Sequence, residues 1–201
     1  MMWLSAQQLD ALTEVVNIAF GRAAASLSEL TDTHVIIKVP RVAVLSMGEL
    51  RRELADWQAH EVAAVQQSFS GPVSGNAMLV FDYERAVALV SMLTDLRPPT
   101  SRLDAADREV LTEVGNILLN ACLGTFGNLL QMHIRFRVPY LRVEALDDMM
   151  ESLVIGTEEL RFVVLVSTTF RLQDSEVSGH LLIVLGVSSL ERLLAGIEAL
   201  I

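Results

Sequence analysis

The feature that most constrains this chain is an internal repeat. The segment Leu12-Thr-Glu-Val-Val-Asn-Ile-Ala19 recurs as Leu111-Thr-Glu-Val-Gly-Asn-Ile-Leu118, with six of eight residues identical and a shift of 99 residues. The same shift aligns Val39-Pro40 with Val138-Pro139. Because self-similarity at a fixed period usually means that one supersecondary unit is built more than once, the sequence predicts two copies of a single unit.

The two copies are separated by a proline-rich stretch. The sequence Arg97-Pro98-Pro99-Thr100-Ser101 cannot continue a helix, because proline lacks the amide hydrogen and clashes with the preceding turn. We therefore expect repeats at 1–97 and 103–201, joined by a linker at 98–102. At 201 residues, the whole chain 1–201 is predicted to form a single domain.

Each copy shows the same order of hydrophobic patterns, which predicts α-β-α-β-β-α twice. The expected helices are 5–30 and 104–130, then 47–58 and 144–152, then 82–94 and 188–199, and the first strands are 35–39 and 134–138, each ended by its proline. Two halves with unpaired strand edges join most simply into one sheet. The predicted fold is therefore α+β, an internally duplicated pseudo-two-fold domain with one continuous, mainly antiparallel sheet and two long surface helices.

Both long helices are predicted to be amphipathic, with one narrow polar stripe opposite an apolar face. At 100° per residue the stripes contain the residues Asp10, Glu14, Asn17 and Gly21 in the first copy, and Glu109, Glu113, Asn116 and Asn120 in the second. The stripe is thus repeated as faithfully as the core.

The stripe residues allow two interpretations. A single Glu-x-x-Asn is most commonly part of a solvated helix face. Asparagine, however, is a poor residue in the middle of a helix, and its presence at both copies, one turn from a glutamate, indicates a task. The i, i+3 spacing places a carboxylate beside a carboxamide, a pair suited to holding a cation and orienting a water molecule.

The spacing also matches a known signature. Asp10-x3-Glu14-x2-Asn17-x22-Pro40 and Glu109-x3-Glu113-x2-Asn116-x22-Pro139 resemble the motif of the CheC-type chemotaxis phosphatases, the CheC/CheX/FliY family. Glu109 departs from the pattern, because that family usually has Asp or Ser at the first position. The resemblance covers essentially the whole chain, since the two motif copies, their order and the length all agree with it.

The resemblance implies an activity and a set of residue roles. The protein would hydrolyse the aspartyl phosphate of a CheY-like response-regulator receiver domain, with no covalent intermediate on its own chain. Glu14 and Glu113 would pair with the receiver's lysine, and Asn17 and Asn116 would orient the attacking water. The Mg²⁺ ion would be supplied by the receiver, so that neither a cofactor nor a metal site is expected here.

The remaining motif positions are expected to support these four residues. Asp10 and Glu109 begin the two stripes and act less directly than the glutamate and asparagine that follow. Pro40 and Pro139 are interpreted as structural, because proline offers no functional side-chain group.

An alternative function is that of an adaptor, which binds phosphorylated receiver or the receptor deamidase CheD with little or no hydrolysis. The acidic segment Leu146-Asp147-Asp148-Met149-Met150-Glu151 is either the solvated side of a short helix or a CheD contact through Asp147 and Asp148. In the second case neighbouring exposed methionines would suit an adaptable interface. A component of the flagellar switch is less favoured, because no sequence for the additional domain of FliY is present.

Charge and composition exclude several classes of protein. A formal net charge of -10 and an isoelectric point near 4.8 would repel a nucleic acid backbone. The unbroken apolar stretches are only as long as strands, so we expect no membrane span. The single cysteine, Cys122, allows no internal disulfide and lies on the apolar face of its helix. Without a signal-peptide pattern the protein is expected in the cytoplasm, and as a monomer, because the duplication supplies the symmetry of a dimer.

Overall fold

Six α-helices and seven strands make up the fold in the computed structural model, which describes residues 4–57, 60–94, 102–129, 131–154, 161–172 and 175–199. The first half contains α1 (Ala6–Thr31), β1 (Val35–Ser46), α2 (Met47–Glu53), a 3-10 turn (Ala55–Trp57), β2 (Glu61–Ser70), β3 (Gly75–Asp82) and α3 (Tyr83–Leu93). The second half contains α4 (Ala105–Leu129), β4 (Arg135–Phe136), β5 (Tyr140–Ala145), α5 (Leu146–Val154), β6 (Arg161–Leu172), β7 (Ser175–Gly186) and α6 (Val187–Glu198).

All strands belong to one sheet with the order β1-β6-β7-β3-β2, and both β4 and β5 pair with the outer side of β2. Every pairing is antiparallel. At the centre β3 lies beside β7, with Met78 opposite Leu182. The halves exchange their outer strands, because β1 pairs with β6 and β5 pairs with β2. The predicted α+β fold with a continuous, mainly antiparallel sheet is confirmed.

Local capping explains where the two long helices begin. The Ser5 hydroxyl accepts from the amide of Gln8, and the Gln8 side chain accepts in turn from the Ser5 amide, which forms a capping box at α1. Asp104 and Asp107 make the equivalent reciprocal pair at α4, with both distances 2.9 Å. These bonds satisfy first-turn amides that have no partner within the helix.

Helices cover both faces of the sheet. The long helices α1 and α4 pack against each other on one face, where their apolar sides meet alternate residues of the strands, such as Ala63 and Val65 of β2. The opposite residues, Val62 and Ala64, lie in a second cluster with α2, α5 and Trp57. The strand period of two thus separates the layers, and the stripes of α1 and α4 remain on the outside.

The prediction that each proline ends its strand was wrong. Pro40 lies inside β1, which continues to Ser46, and the pairing with β6 changes register between Lys38 and Arg41. A residue without an amide hydrogen is tolerated at such an irregularity, because no ladder bond is lost there. In the second half β4 stops at Phe136, and pairing with β2 resumes directly after Pro139.

The predicted linker at 98–102 lies outside the described residues except for Arg102, so the boundary between the repeats stays a prediction. By length and composition alone, one described helix could cross a membrane, at 105–128 within α4. Half of its most apolar window is buried inside the fold.

Candidate functional site

Helix α1 presents the first predicted stripe to solvent. Asp10, Glu14, Asn17 and Gly21 are all exposed, whereas Leu12, Val16 and Phe20 between them are buried. The amphipathic period predicted from the sequence therefore places the motif carboxylates and the carboxamide on the outer surface of the molecule.

The motif pair Glu14 and Asn17 of α1, here called the first centre, makes no side-chain hydrogen bonds within the described part of the chain. The pair Glu113 and Asn116 of α4 is called the second centre. Neither the Glu14 carboxylate nor the Asn17 carboxamide has a partner there, and the neighbouring Thr13 hydroxyl donates back to the carbonyl of Leu9 at 2.7 Å. Glu14 and Asn17 can therefore reorient, so the first centre presents its groups without fixing them.

Helix α4 presents the second stripe differently. Glu109 and Glu113 are exposed, but Asn116 and Asn120 are half-buried. The Asn116 Nδ2 group donates to Glu113 Oε2 at 3.4 Å, and Asn120 Nδ2 donates to Asn116 Oδ1 at 2.6 Å. The motif glutamate and asparagine thus belong to one chain of hydrogen bonds along the helix surface.

This chain of hydrogen bonds ends on a residue that the sequence analysis did not identify. Gln67 of β2 is only 1 % exposed, and its Nε2 group donates to Asn120 Oδ1 at 3.1 Å and to the main-chain carbonyl of Arg137 at 2.9 Å. The only local signal was a glutamine following the apolar run Val62–Val65 of a strand. Its partner on α4 is 53 residues away, which no local pattern reveals.

The start of the second stripe forms a ridge between two open grooves. One groove, about 670 Å³, lies between α4, the end of α1 at Leu30 and the end of α3 at Leu93. The other, about 540 Å³, lies between α4 and Tyr140 of β5. Glu109 and Glu113 line both grooves. The carboxylates are therefore accessible to a partner that approaches from outside the helix pair.

No group of three or more His, Cys, Asp or Glu side chains suited to a metal ion occurs among the residues that the structure describes. His34 and His133 are both exposed. Cys122 is buried as predicted, and burial raises the pKa of its thiol far above the usual range.

Helix α5 exposes the two predicted acidic residues but not the neighbouring methionines. Asp147 and Asp148 are exposed in its first turn. Met149 and Met150, expected to be exposed beside them, are each only 1 % exposed and lie in the cluster under α2 and α5. The helical period turns the methionines toward the sheet, because residues next to an exposed pair point to the opposite side.

Comparison with known proteins bears on this arrangement of motifs. A family model described as the CheC-like family matches residues 8–44, which contain the first motif from Asp10 to Pro40. The CheY-P phosphatase CheC of Bacillus subtilis (strain 168) is 23 % identical over 201 residues, covering 96 % of this chain and 95 % of the relative. The resemblance to the CheC-type family is confirmed.

A second curated relative carries the same CheC-type resemblance. It is the flagellar motor switch phosphatase FliY of the same bacterium, 25 % identical over 177 residues, with 87 % of this chain covered. The match spans 44 % of that relative, less than half of its length.

Solved structures show the CheC-type fold. FliY of Thermotoga maritima matches with a TM-score of 0.78 at 20 % identity, covering 98 % of this chain and 99 % of that one. The FliM middle domain of H. pylori matches with a TM-score of 0.65 at 13 % identity, covering 96 % and 99 %. At such identities the likeness concerns the fold alone. It shows that the sheet and helix pair form a recurring scaffold.

Proposed function

We propose that this protein hydrolyses the aspartyl phosphate of a CheY-like receiver domain and so terminates a chemotaxis or two-component signal. The observation that carries the proposal is the presentation of a glutamate and an asparagine, three residues apart, on the outer face of both long helices. The name of the Bacillus subtilis CheC relative, a CheY-P phosphatase, supports the same activity.

In the proposed mechanism each centre docks over the acyl phosphate of the receiver. The carboxylate of Glu14 or Glu113 pairs with the receiver's lysine, and the carboxamide of Asn17 or Asn116 orients a water in line with the phosphorus atom. Phosphoryl transfer mainly requires positioning and charge stabilisation, and a carboxamide that holds a water supplies positioning. The Mg²⁺ ion is contributed by the receiver.

The reaction needs no covalent intermediate on this chain. The water oxygen bonds to phosphorus as the bond to the receiver's aspartyl oxygen breaks. The carboxylate is released, and the protons of the water remain with inorganic phosphate or pass to solvent. The accessible motif groups of this protein then act only by hydrogen bonding and by charge.

The second centre offers a way to couple docking to water binding. At rest one Asn116 Nδ2 hydrogen is directed to Glu113 Oε2 at 3.4 Å, a long and therefore weak bond. A lysine that takes the Glu113 carboxylate releases that hydrogen. The freed hydrogen is then available to the attacking water or to a phosphoryl oxygen, and only when a receiver is in place.

The proposal is tested by the decay of a radiolabelled phospho-receiver with wild type, Asn17→Ala, Asn116→Ala and the double variant. Each single variant is expected to keep part of the acceleration, and the double variant to return to the spontaneous rate. Ser26→Ala, an exposed change on α1 away from the stripe, is the matched control and should leave the rate unchanged. If the double variant accelerated the decay as much as the wild type does, Asn17 and Asn116 would not be the catalytic residues.

An adaptor role remains the second candidate, favoured by the two exposed carboxylates in the first turn of α5. In this proposal Asp147 and Asp148 contact CheD. Asp148→Lys should weaken co-purification with CheD at least tenfold, whereas Glu191→Lys, an equal charge change on α6, should not. Equal binding by both variants would place the contact elsewhere. In either role we propose a monomer in the cytoplasm, which light scattering and fractionation would test.

A further inference from the structure

We propose that Gln67 and Asn120 are positioning residues that hold the carboxamide of Asn116 in one orientation, so that the second centre is preorganised and the first is not. The catalytic consequence rests on the proposed phosphatase function. The orientation itself follows from the hydrogen bonds and can be tested without activity.

The Arg137 carbonyl fixes the orientation of all three side-chain amides in this series of hydrogen bonds, those of Gln67, Asn120 and Asn116. The Arg137 main-chain oxygen can only accept, so the Gln67 side chain must direct its nitrogen toward it, at 2.9 Å. The same nitrogen donates to Asn120, which therefore presents its oxygen to Gln67 and its nitrogen to Asn116. Asn116 must accept through Oδ1 and direct its Nδ2 group outward.

The orientation of Asn116 decides what a water molecule meets. One lone pair of Asn116 Oδ1 accepts from Asn120, and one Nδ2 hydrogen faces Glu113. The second Nδ2 hydrogen and the second lone pair remain for a water or a phosphoryl oxygen. The hydrogen bond of 2.6 Å from Asn120 Nδ2 to Asn116 Oδ1 holds the Asn116 amide plane, so these two groups keep fixed positions at the surface.

The burial of Gln67 indicates that its amide is kept for its hydrogen bonds. Its side chain is almost completely buried, and the Oε1 atom has no partner within the described part of the protein. Burying an unsatisfied polar atom is unfavourable, so packing alone would be served better by leucine. The only gain visible at this position is the pair of bonds from Nε2 to Arg137 and Asn120.

The hydrogen bonds that run from Gln67 through Asn120 to Asn116 form a relay, and the first centre has no counterpart to it. The shift of 99 residues that relates Asn116 to Asn17 also relates Asn120 to Gly21, and Gln67 to Val166. Neither glycine nor valine has a side-chain amide. Asn17 accordingly has no side-chain hydrogen bond among the described residues, and its carboxamide must be ordered when a receiver docks.

Ordering a free side chain costs conformational entropy, so the preorganised centre should turn over faster. We expect the second centre, measured in Asn17→Ala, to be about threefold to tenfold faster than the first centre, measured in Asn116→Ala. The difference should appear in kcat and not in KM, because the relay acts on the water-binding amide and not on the docking surface.

The test uses two relay variants. Asn120→Asp keeps an oxygen to accept from Gln67 but loses the donor to Asn116. Gln67→Leu removes the buried anchor while filling a similar volume, so it tests the relay even if the charged variant fails to fold. Asn128→Asp makes the same chemical change at an exposed position near the end of α4 and serves as the control.

Nuclear magnetic resonance gives the first readout. The Nδ2 proton shifts of Asn116 should differ from those of a free asparagine side chain in the wild type, and should move toward the free values in Asn120→Asp and Gln67→Leu but not in Asn128→Asp. The Nδ2 protons of Asn17 should have the free values throughout. Unchanged Asn116 signals in both relay variants would overturn the proposal, whatever the activity.

Phospho-receiver hydrolysis gives the second readout. In the Asn17→Ala background the relay variants should lower kcat about fivefold with KM within twofold, and in the Asn116→Ala background they should have no effect. A loss in both backgrounds would show a general structural effect and overturn the positioning role. So would an unchanged kcat in the first background. If the wild type does not hydrolyse the phospho-receiver, the proposed function fails. The nuclear magnetic resonance measurement still shows whether Gln67 and Asn120 orient the Asn116 amide.

Discussion

Gly115 of α4 lies directly against Val65 of β2, so closely that a Cβ atom at position 115 would be 2.4 Å from Val65 Cγ1. Glycine at this position lets α4 approach the sheet more closely than any other residue would allow. The close approach occurs next to Asn116, and one turn later the same helix brings Asn120 within hydrogen-bond distance of Gln67 on the same strand.

Gly115→Ala should therefore destabilise the fold even though alanine is the better helix former. Overpacking against Val65 is expected to lower the free energy of unfolding by about 1–3 kcal/mol, measured by urea denaturation. Gly124→Ala in the same helix is the control, because nothing lies within 4 Å of its added Cβ. That variant should be neutral or gain up to about 1 kcal/mol. Equal stability of the two variants would contradict the close contact.

His180 predicts a loss of stability in acid. Its ring packs on Trp57 with the centroids 4.9 Å apart, and burial, with the positive charge of Arg85, lowers its pKa to about 4. In the unfolded chain the pKa of this histidine is about 6.5, so as the pH falls the unfolded state binds the proton first. The free energy of unfolding should therefore fall by up to about 3 kcal/mol as the pH drops from 6.5 to 4.

The His180 contribution can be separated from other titrations by urea denaturation at pH 7 and pH 5. His180→Gln should flatten the dependence between these values, and His34→Gln, at an exposed histidine, should leave it as in the wild type. A dependence that survives in His180→Gln would assign the acid sensitivity to other groups.

Cys122 predicts slow chemistry in the native protein. Because burial raises the pKa of this thiol, the thiolate that attacks a disulfide reagent is scarce in the folded state. Ellman's reagent should react with less than a tenth of the protein over minutes, and with one equivalent after unfolding in urea, since the chain has one cysteine. Fast labelling of the native protein would show that α4 opens readily.

The exchange of outer strands predicts that neither half folds alone. Fragment 1–97 lacks the partner of β1, and fragment 103–201 lacks the partner of β5. Each fragment should give poorly dispersed resonance spectra, and an equimolar mixture should recover the dispersion of the intact chain. A well-dispersed spectrum of one fragment by itself would show that its edge strands are dispensable.

The sequence was most informative where one residue pattern determined one structure. The helical period predicted α1 and α4 and the exposure of Glu14, Asn17 and Glu113, because the apolar face of an amphipathic helix must be buried. Pro40 misled the interpretation, because a proline can end a strand or occupy an irregularity within it. Only the pairing of β1 with β6 distinguishes these two cases.

The prediction failed where the decisive contact is distant in sequence. Met149 and Met150 were expected at the surface, but the sheet beneath α5 takes both. The relay from Gln67 to Asn120 joins β2 to α4, which are far apart in the sequence. The hydrophobic period of one element gives no information about its contacts with the other. Such contacts follow from the topology, which neighbouring residues do not specify.

The pairing of β1 with β6 affects how the protein folds while it is being synthesised. Val35 pairs with Leu172, so β1 leaves the ribosome long before its partner strand β6 has been synthesised. At roughly 5–20 residues per second this delay is on the order of 10 s. During that time the edge of β1 and the apolar side of α1 are uncovered, which makes the nascent chain a natural client for a chaperone bound near the tunnel exit.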